Sequence, residues 1–170
     1  HALADFAASQ ALWTDPVVTG AIGGRTLSAS EVWQRLLRYG GLWTLLGYGY
    51  WAITDRSDGR FIGEAGLADW RREMTPPLGA VPETGWALHS SMHGQGLAGE
   101  AMRAILDWAD RQLPQPQTCC IISPANTASV RLAGKLGYRA GAASQLGENS
   151  VTIFHRARPA NAAAGDAAIE

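Results

Sequence analysis

Apolar residues recur with helical spacing over residues 3–13, LADFAASQALW, through Leu3, Phe6 and Leu12, and the TDP that follows ends the run in a turn. GAIGGRTL then reads as a loop. Ser28-Ala-Ser-Glu31 has the form of a capping box ahead of Val32, Leu36 and Leu37, which predicts a second helix running to about Arg38. From residue 48 the period falls to two. Residues 48–55 and 60–70 read as strands joined by a turn at Asp58-Gly59. After the loop REMTPPLGAVP, ETGWALHSS alternates Thr84, Trp86 and Leu88 against Glu83, Gly85 and Ala87, a third strand. Leu97, Ala101, Ile105, Trp108 and Ala109 then share one helical face that stops before Pro114. TCCIIS reads as a short central strand. NTASVRLAGKLG is a helix with Asn126 as N-cap and Gly137 just past its end, and SVTIFHRAR is a last strand. The pattern predicts one α/β domain over residues 1–158 with a mostly antiparallel sheet. Residues 159–170 are alanine-rich, without periodicity, and are expected to be a disordered tail.

Composition narrows the picture. A chain of 170 residues, 46% hydrophobic and 17% charged, suits one globular domain with its own core. A net charge of −1 provides no basic field, so neither nucleic acid nor an anionic membrane is expected as a partner. No apolar run nears the roughly 18 residues of a membrane span, and HALADFAASQ lacks the layout of a signal peptide. The two cysteines, Cys119 and Cys120, are adjacent, which suits a buried strand better than a disulfide or a zinc site. The four histidines form no metal pattern, so no metal is expected, and a reducing cytoplasm is the expected location. Nothing in the pattern marks an oligomer interface.

HGQGLAGEA, residues 93–101, raises the question of chemistry: three glycines stand directly before a helix. Glycine there serves either a sharp turn or the close approach of a ligand to backbone N–H groups, which carry partial positive charge at a helix start. A nucleotide-triphosphate loop would need Lys and Ser or Thr after the last glycine, and Glu100 and Ala101 follow Gly99 instead. The G-x-G-x-x-G spacing matches a dinucleotide fingerprint, but the strand before it belongs to an antiparallel meander.

ETGWALHSSMHGQGLAGEAMRAILDWA followed by SPANTASVRLAGKLGYRAG resembles the cofactor half of the GNAT superfamily of acyl-CoA-dependent N-acetyltransferases, and in particular the branch acting on ribosomal-protein N-termini and small amines. Gly94, Gly96, Ala98, Glu100 and Ala101 fill the family's first motif. Asn126, Ser129, Lys135, Leu136, Gly137 and Tyr138 fill the second. Ser91 stands where the first motif usually has Arg or Gln, and His93 where this branch often has Trp. Family members usually begin with a strand before the first helix. Here the helix comes almost at once, so the sheet is expected to lack that strand or the strand to precede residue 1.

The resemblance implies acetyl-CoA as co-substrate, lying between two splayed parallel strands. Its pantetheine would bond the backbone of Ala87, Leu88 and His89, and its pyrophosphate the N–H groups of Gly94, Gln95, Gly96, Leu97, Ala98 and Gly99. Asn126 and Ser129 would face the cofactor, Ser129 toward the thioester end. The partner is an amine acceptor. Direct attack by an amine needs a proton acceptor, an oxyanion donor and an outlet for the thiolate. Glu83 is the expected catalytic acceptor, Glu64 a second choice, and a backbone N–H near Leu88 the donor. Many relatives use a tyrosine seven residues after the asparagine as thiolate acid; that position is Ala133, which leaves Ser129 or water. Tyr138 is expected in the core, and of the seven tryptophans only Trp43 and Trp70 could line an acceptor pocket. Alternatives are a non-catalytic CoA-binding sensing module and an antibiotic-amine acetyltransferase.

Overall fold

In a computed structural model, which describes residues 1–160, the chain opens with α1 (Phe6–Thr14), α2 (Pro16–Ile22) and α3 (Ala29–Leu46). β1 (Tyr50–Thr54), β2 (Phe61–Ala68) and β3 (Glu83–Leu88) follow, then α4 (Leu97–Gln112), β4 (Gln117–Ile122), α5 (Thr127–Lys135), β5 (Arg139–Leu146) and β6 (Asn149–Ala157). The six strands form one mixed sheet in the order β1-β2-β3-β4-β6-β5. Its parallel pair is β3–β4, in register at Glu83↔Cys119; the ladders β1–β2, β4–β6 and β5–β6 are antiparallel. The mixed α/β expectation is met. Most of the expected tail, 161–170, lies outside the described residues.

Two compact units are distinguished: His1–Trp70 with Thr84–Ala98, and Arg71–Glu83 with the residues from Gly99 on. In the first, Leu12, Trp13, Val18, Val32 and Ala87 form one apolar cluster, and Tyr39, Leu42, Tyr50 and Ala68 another. In the second, Met102, Ile105, Leu106 and Ala109 of α4 are buried, as are Cys119, Cys120 and Ile122 of β4 and Ile153 and Phe154 of β6. Burial of each Val, Leu, Ile, Met or Phe side chain among them is worth about 1.5–3 kcal/mol.

Three elements depart from the sequence pattern. The TDP turn and the segment after it hold α2: the Asp15 carboxylate accepts the N–H of Val17 at 2.8 Å and Pro16 takes the first helical position, where its missing N–H costs nothing. α3 runs eight residues past Arg38 to Leu46, through Gly40 and Gly41. Val32, Leu36, Tyr39 and Leu42 keep one buried face across the glycines, and that burial outweighs the roughly 1 kcal/mol each glycine costs a helix. Gly47, in the left-handed region at φ 72°, ends it. The third is β5. Only Ser144 of its eight residues is buried, so this edge strand carries no apolar alternation to read.

The capping box at Ser28 and Glu31 forms as expected, as does the Asn126 N-cap, which accepts the N–H of Ser129 at 3.0 Å. Tyr138 is buried with its hydroxyl 2.8 Å from that of Thr118.

Candidate functional site

The glycine segment sits in the first unit and is built from its neighbours. Asp15, the cap of α2, also bonds Ser90, and that contact first, with the Val17 N–H, holds its carboxyl below the usual range. A short helical turn over Ser90–Met92 follows β3. The His93 ring nitrogen Nε2 then bonds the Leu88 carbonyl at 2.9 Å, and Gln95 Nε2 donates to the Ser91 carbonyl at 3.0 Å. The His93 ring, at one of the two departures from the motif, thus closes the loop, while Ser91 takes part through its backbone carbonyl. Gly94 and Gly96 have φ of 75° and 80°, and no atom lies within 4 Å of where a Cβ would stand on either. Both questions raised by these glycines receive an answer: the backbone needs the left-handed region twice, and the space beside it is open. Gly99 differs. It lies inside α4, and a Cβ there would make ordinary contact at 3.4 Å with Arg103 and Leu132. The turn delivers the chain into the N-terminus of a helix of 16 residues, where Leu97, Ala98 and Gly99 present N–H groups without intrahelical partners. Such an arrangement can hold an anion such as a pyrophosphate, so these residues fit the group.

Backbone polarity along β3 follows from the pleat. The His89 N–H donates to the Ile62 carbonyl at 2.9 Å, and a Cβ on Gly63 would collide with the Ala87 carbonyl, so these groups face β2. Leu88 then turns its N–H and carbonyl the other way. Its carbonyl is taken by His93. Of the backbone expected to meet pantetheine, therefore, His89 N–H is engaged with β2, and the Leu88 N–H is the donor that points away from it.

Glu83 and Glu64 are both buried and held differently. Glu83 accepts Arg72 Nε at 2.7 Å on Oε2 and Arg72 Nη2 at 2.8 Å on Oε1, a two-toothed pair. Glu64 uses only Oε1, which accepts Trp13 Nε1 at 3.1 Å, Arg35 Nε at 3.0 Å and the Tyr39 hydroxyl; Oε2 is buried without a partner. Burial first, then the Glu64 charge, pushes the Tyr39 phenol well above its ordinary value. The Arg35 guanidinium stacks 3.9 Å over the Trp13 ring. Sequence reasoning missed Arg72, Arg35 and Tyr39; an Arg eleven residues from Glu83, or an Arg at helical spacing among apolar residues, carries no signal of its partner.

In the second unit Asn126 and Ser129 meet through the cap bond, both half-buried. Ala133 is fully buried, and its carbonyl accepts the Tyr138 N–H at 3.0 Å. Cys119, the strand partner of Glu83, is buried; burial first and Glu83 second raise its thiol to about 12, so it is no nucleophile. Trp43 donates Nε1 to the Tyr50 carbonyl at 3.0 Å and meets the Trp51 ring edge-on, and Trp70 packs on Tyr50, so each has a packing role. Among the described residues no group of three or more His, Cys, Asp or Glu side chains could hold a metal ion, and no helix is long and apolar enough to cross a membrane.

The two strands of the parallel pair, β3 and β4, are thus joined through the glycine turn and α4, within one mixed sheet. The family model described as an acetyltransferase (GNAT) domain matches residues 1–139, and the chain belongs to that family. A chain of Bordetella pertussis assigned to the GnaT family of acetyltransferases is 31% identical over 92% of both chains, with a TM-score of 0.81. The yncA structure of Salmonella typhimurium, assigned as an acetyltransferase and determined with its cofactor acetyl-CoA, is 26% identical over 98% of this chain and 95% of that one, with a TM-score of 0.72. YkkB of Bacillus subtilis (strain 168) is 29% identical over 112 residues; the match spans 65% of this chain and 63% of that protein.

Proposed function

We propose that the protein is an acetyl-CoA-dependent N-acetyltransferase acting in the cytoplasm on a primary amine, a small molecule or a protein N-terminus as in the ribosomal-protein branch. The carrying observation is the open left-handed turn at Gly94 and Gly96 feeding the N-terminus of α4. Family membership and the acetyl-CoA held by the Salmonella structure support the same reading. The N–H groups of residues 94–99 would hold the diphosphate, with Leu88, Asn126 and Ser129 as further contacts, and with Ala87 and His89 contributing by position rather than by the backbone groups that face β2.

Bound acetyl-CoA would supply the thioester carbonyl that an amine attacks. The Leu88 N–H is the oxyanion donor in this reading. The amine nitrogen bonds to the acetyl carbon, the C–S bond breaks, and the ammonium proton passes to a carboxylate directly or through water. Glu83 is that carboxylate. Arg72 occupies one lone pair on each oxygen, and each oxygen keeps another to accept from water. A second reading gives the role to Glu64, favoured by its unpartnered Oε2. Ser129 or water would protonate the leaving thiolate, since Ala133 offers no hydroxyl.

Acetyl-CoA should raise the melting temperature, and a panel of amines should release free CoA thiol. Stabilisation with no thiol release from any amine would make the protein a sensing module. Gly96→Asn, whose side chain tolerates the left-handed region, should weaken acetyl-CoA binding while leaving the melting temperature of the free protein near its parent value; unchanged affinity would remove the diphosphate from this turn. Glu83→Gln should lower kcat across the pH range with the acetyl-CoA Kd unchanged. A parent pH–rate profile in Glu83→Gln, and a lost one in Glu64→Gln, would transfer the role to Glu64.

A further inference from the structure

Within the first unit, the Arg35 guanidinium is held from its inner side and open along its outer edge. We propose that this edge binds a carboxylate of the acceptor, so that the acceptor is a small amine that also carries a carboxylate. The proposal rests on the acyltransferase reading above and names the substrate class of that activity.

The guanidinium is oriented before any ligand arrives. Its Nε donates to Glu64 Oε1 at 3.0 Å, and its central carbon lies 3.9 Å over the Trp13 ring and 5.5 Å from the Tyr39 ring centre. One of five N–H donors is thereby used. Among the described residues no hydrogen-bond partner takes the four on Nη1 and Nη2, although the side chain is only 24% exposed. Neither nitrogen is sealed from solvent. Their parallel N–H pair matches the two oxygens of a carboxylate, and an edge already fixed by stacking loses little freedom on binding.

Glu64 does not cancel this attraction. It meets the guanidinium through Nε alone, and its Oε1 also draws Trp13 Nε1 and the Tyr39 hydroxyl, so three donors share its charge. A carboxylate on the outer edge touches the cation and stands a guanidinium's width from Glu64, and the nearer charge dominates.

Placement links the edge to the reacting end. Trp13, on which the guanidinium lies, packs in one cluster with Ala87 of β3. Gly63, the residue before Glu64, runs so near β3 that a Cβ on it would stand 2.8 Å from the Leu88 Cα. Leu88 carries the oxyanion donor of the acyltransferase reading. The acceptor nitrogen still gives its proton to Glu83; Arg35 holds a different group of the same molecule and takes no part in the transfer.

Glycine, β-alanine and 4-aminobutyrate, each against its own amide, test the rule over three spacings of amine and carboxylate. With the full chain and saturating acetyl-CoA, the acid-over-amide ratio of kcat/KM is compared between the parent and Arg35→Lys, so the differing basicity of acid and amide cancels. Lysine keeps a cation for Glu64 but lacks the paired N–H edge, and the ratio should fall at least about fivefold at one spacing or more. Phenylglyoxal labelling of Arg35 in the parent, read by peptide mapping, needs neither turnover nor a variant, and it decides should Arg35→Lys unfold. Butyrate should slow that labelling at least about threefold and butyramide should not. Protection by butyrate with no thiol release from any amine would sink the transferase reading alone. A parent ratio kept in Arg35→Lys at all three spacings, thiol release from amines without a carboxylate but from none of the three acids, or labelling untouched by butyrate would overturn the proposal.

Discussion

Glu64 in the first unit and Glu83 in the second are the same residue type on strands of one sheet, both nearly free of solvent, yet their partners are arranged in opposite ways. Glu83 spreads one guanidinium over both oxygens, the geometry in which an Arg–carboxylate pair best offsets its own desolvation. Glu64 crowds three donors from α1 and α3 onto one oxygen and leaves the other with none. An unmet buried acceptor costs roughly 1–3 kcal/mol, more when charged, and an ordered water is the smallest donor that would complete it. The difference teaches that burial alone does not mark a proton acceptor. What separates the two sites is how many lone pairs the protein has already spent.

The largest effect is expected where the cation is removed from the less satisfied carboxylate. Arg35→Met leaves Glu64 with two neutral donors inside the first unit, and urea unfolding should show a loss of about 3–5 kcal/mol. If Arg35 were only a surface brace, the loss would be within about 1 kcal/mol. Next comes Arg72→Met, which releases both oxygens of Glu83. Arg72 is 27% exposed on its side chain and water can replace it, so a loss nearer about 2 kcal/mol is expected in the same assay. A larger loss for Arg72→Met than for Arg35→Met would reverse the comparison. If Glu83 is the proton acceptor, the same variant should also lower kcat with the acetyl-CoA Kd unchanged, since the carboxylate then loses the guanidinium that orients it.

These two networks also mark where the sequence stops being informative. The elements that bury a periodic face were legible: α1, α4, α5, β1 to β4 and β6 all follow apolar spacing or a capping residue. So was the turn at Gly94 and Gly96, because glycine at a strand-to-helix junction has few physical explanations. The misses have particular causes. α2 hid behind Asp15-Pro16, which serves a turn and a helix start equally well. The extension of α3 hid behind Gly40 and Gly41, whose cost is local while the burial that outweighs it is tertiary. β5 lies at the sheet edge with seven of its eight residues outside the core, so no alternation exists to find. Glu83 and Glu64 could be named from their strands, but Arg72 and Arg35 could not be paired with them, since a salt bridge has no period.

The smallest effect concerns Cys119, which shares a register position with Glu83 and so feels how that carboxylate is held. Burial first and the Glu83 charge second, with Arg72 opposing them, together push its thiol up from 9.0 to about 12. The sign follows. A group whose pKa is higher folded than unfolded stabilises fully below the unfolded value and loses that contribution as pH climbs toward the folded one. Between about pH 9 and pH 12 the unfolded thiol ionises while the folded one does not, and stability should fall by at most about 1.4 kcal/mol per pH unit. Unfolding measured at pH 8, 9 and 10, taken as parent minus Cys119→Ala, isolates this slope, because the small cavity left by alanine costs the same at each pH. In Arg72→Met the opposing cation is gone, so iodoacetamide labelling of the folded protein at pH 9 should be slower still than in the parent. Labelling that instead speeds up would mean that Arg72 shields the strand from solvent more than it tunes its charge, and the clamp on Glu83 would then be a cover for β3 rather than an electrostatic counterpart to the Arg35 network.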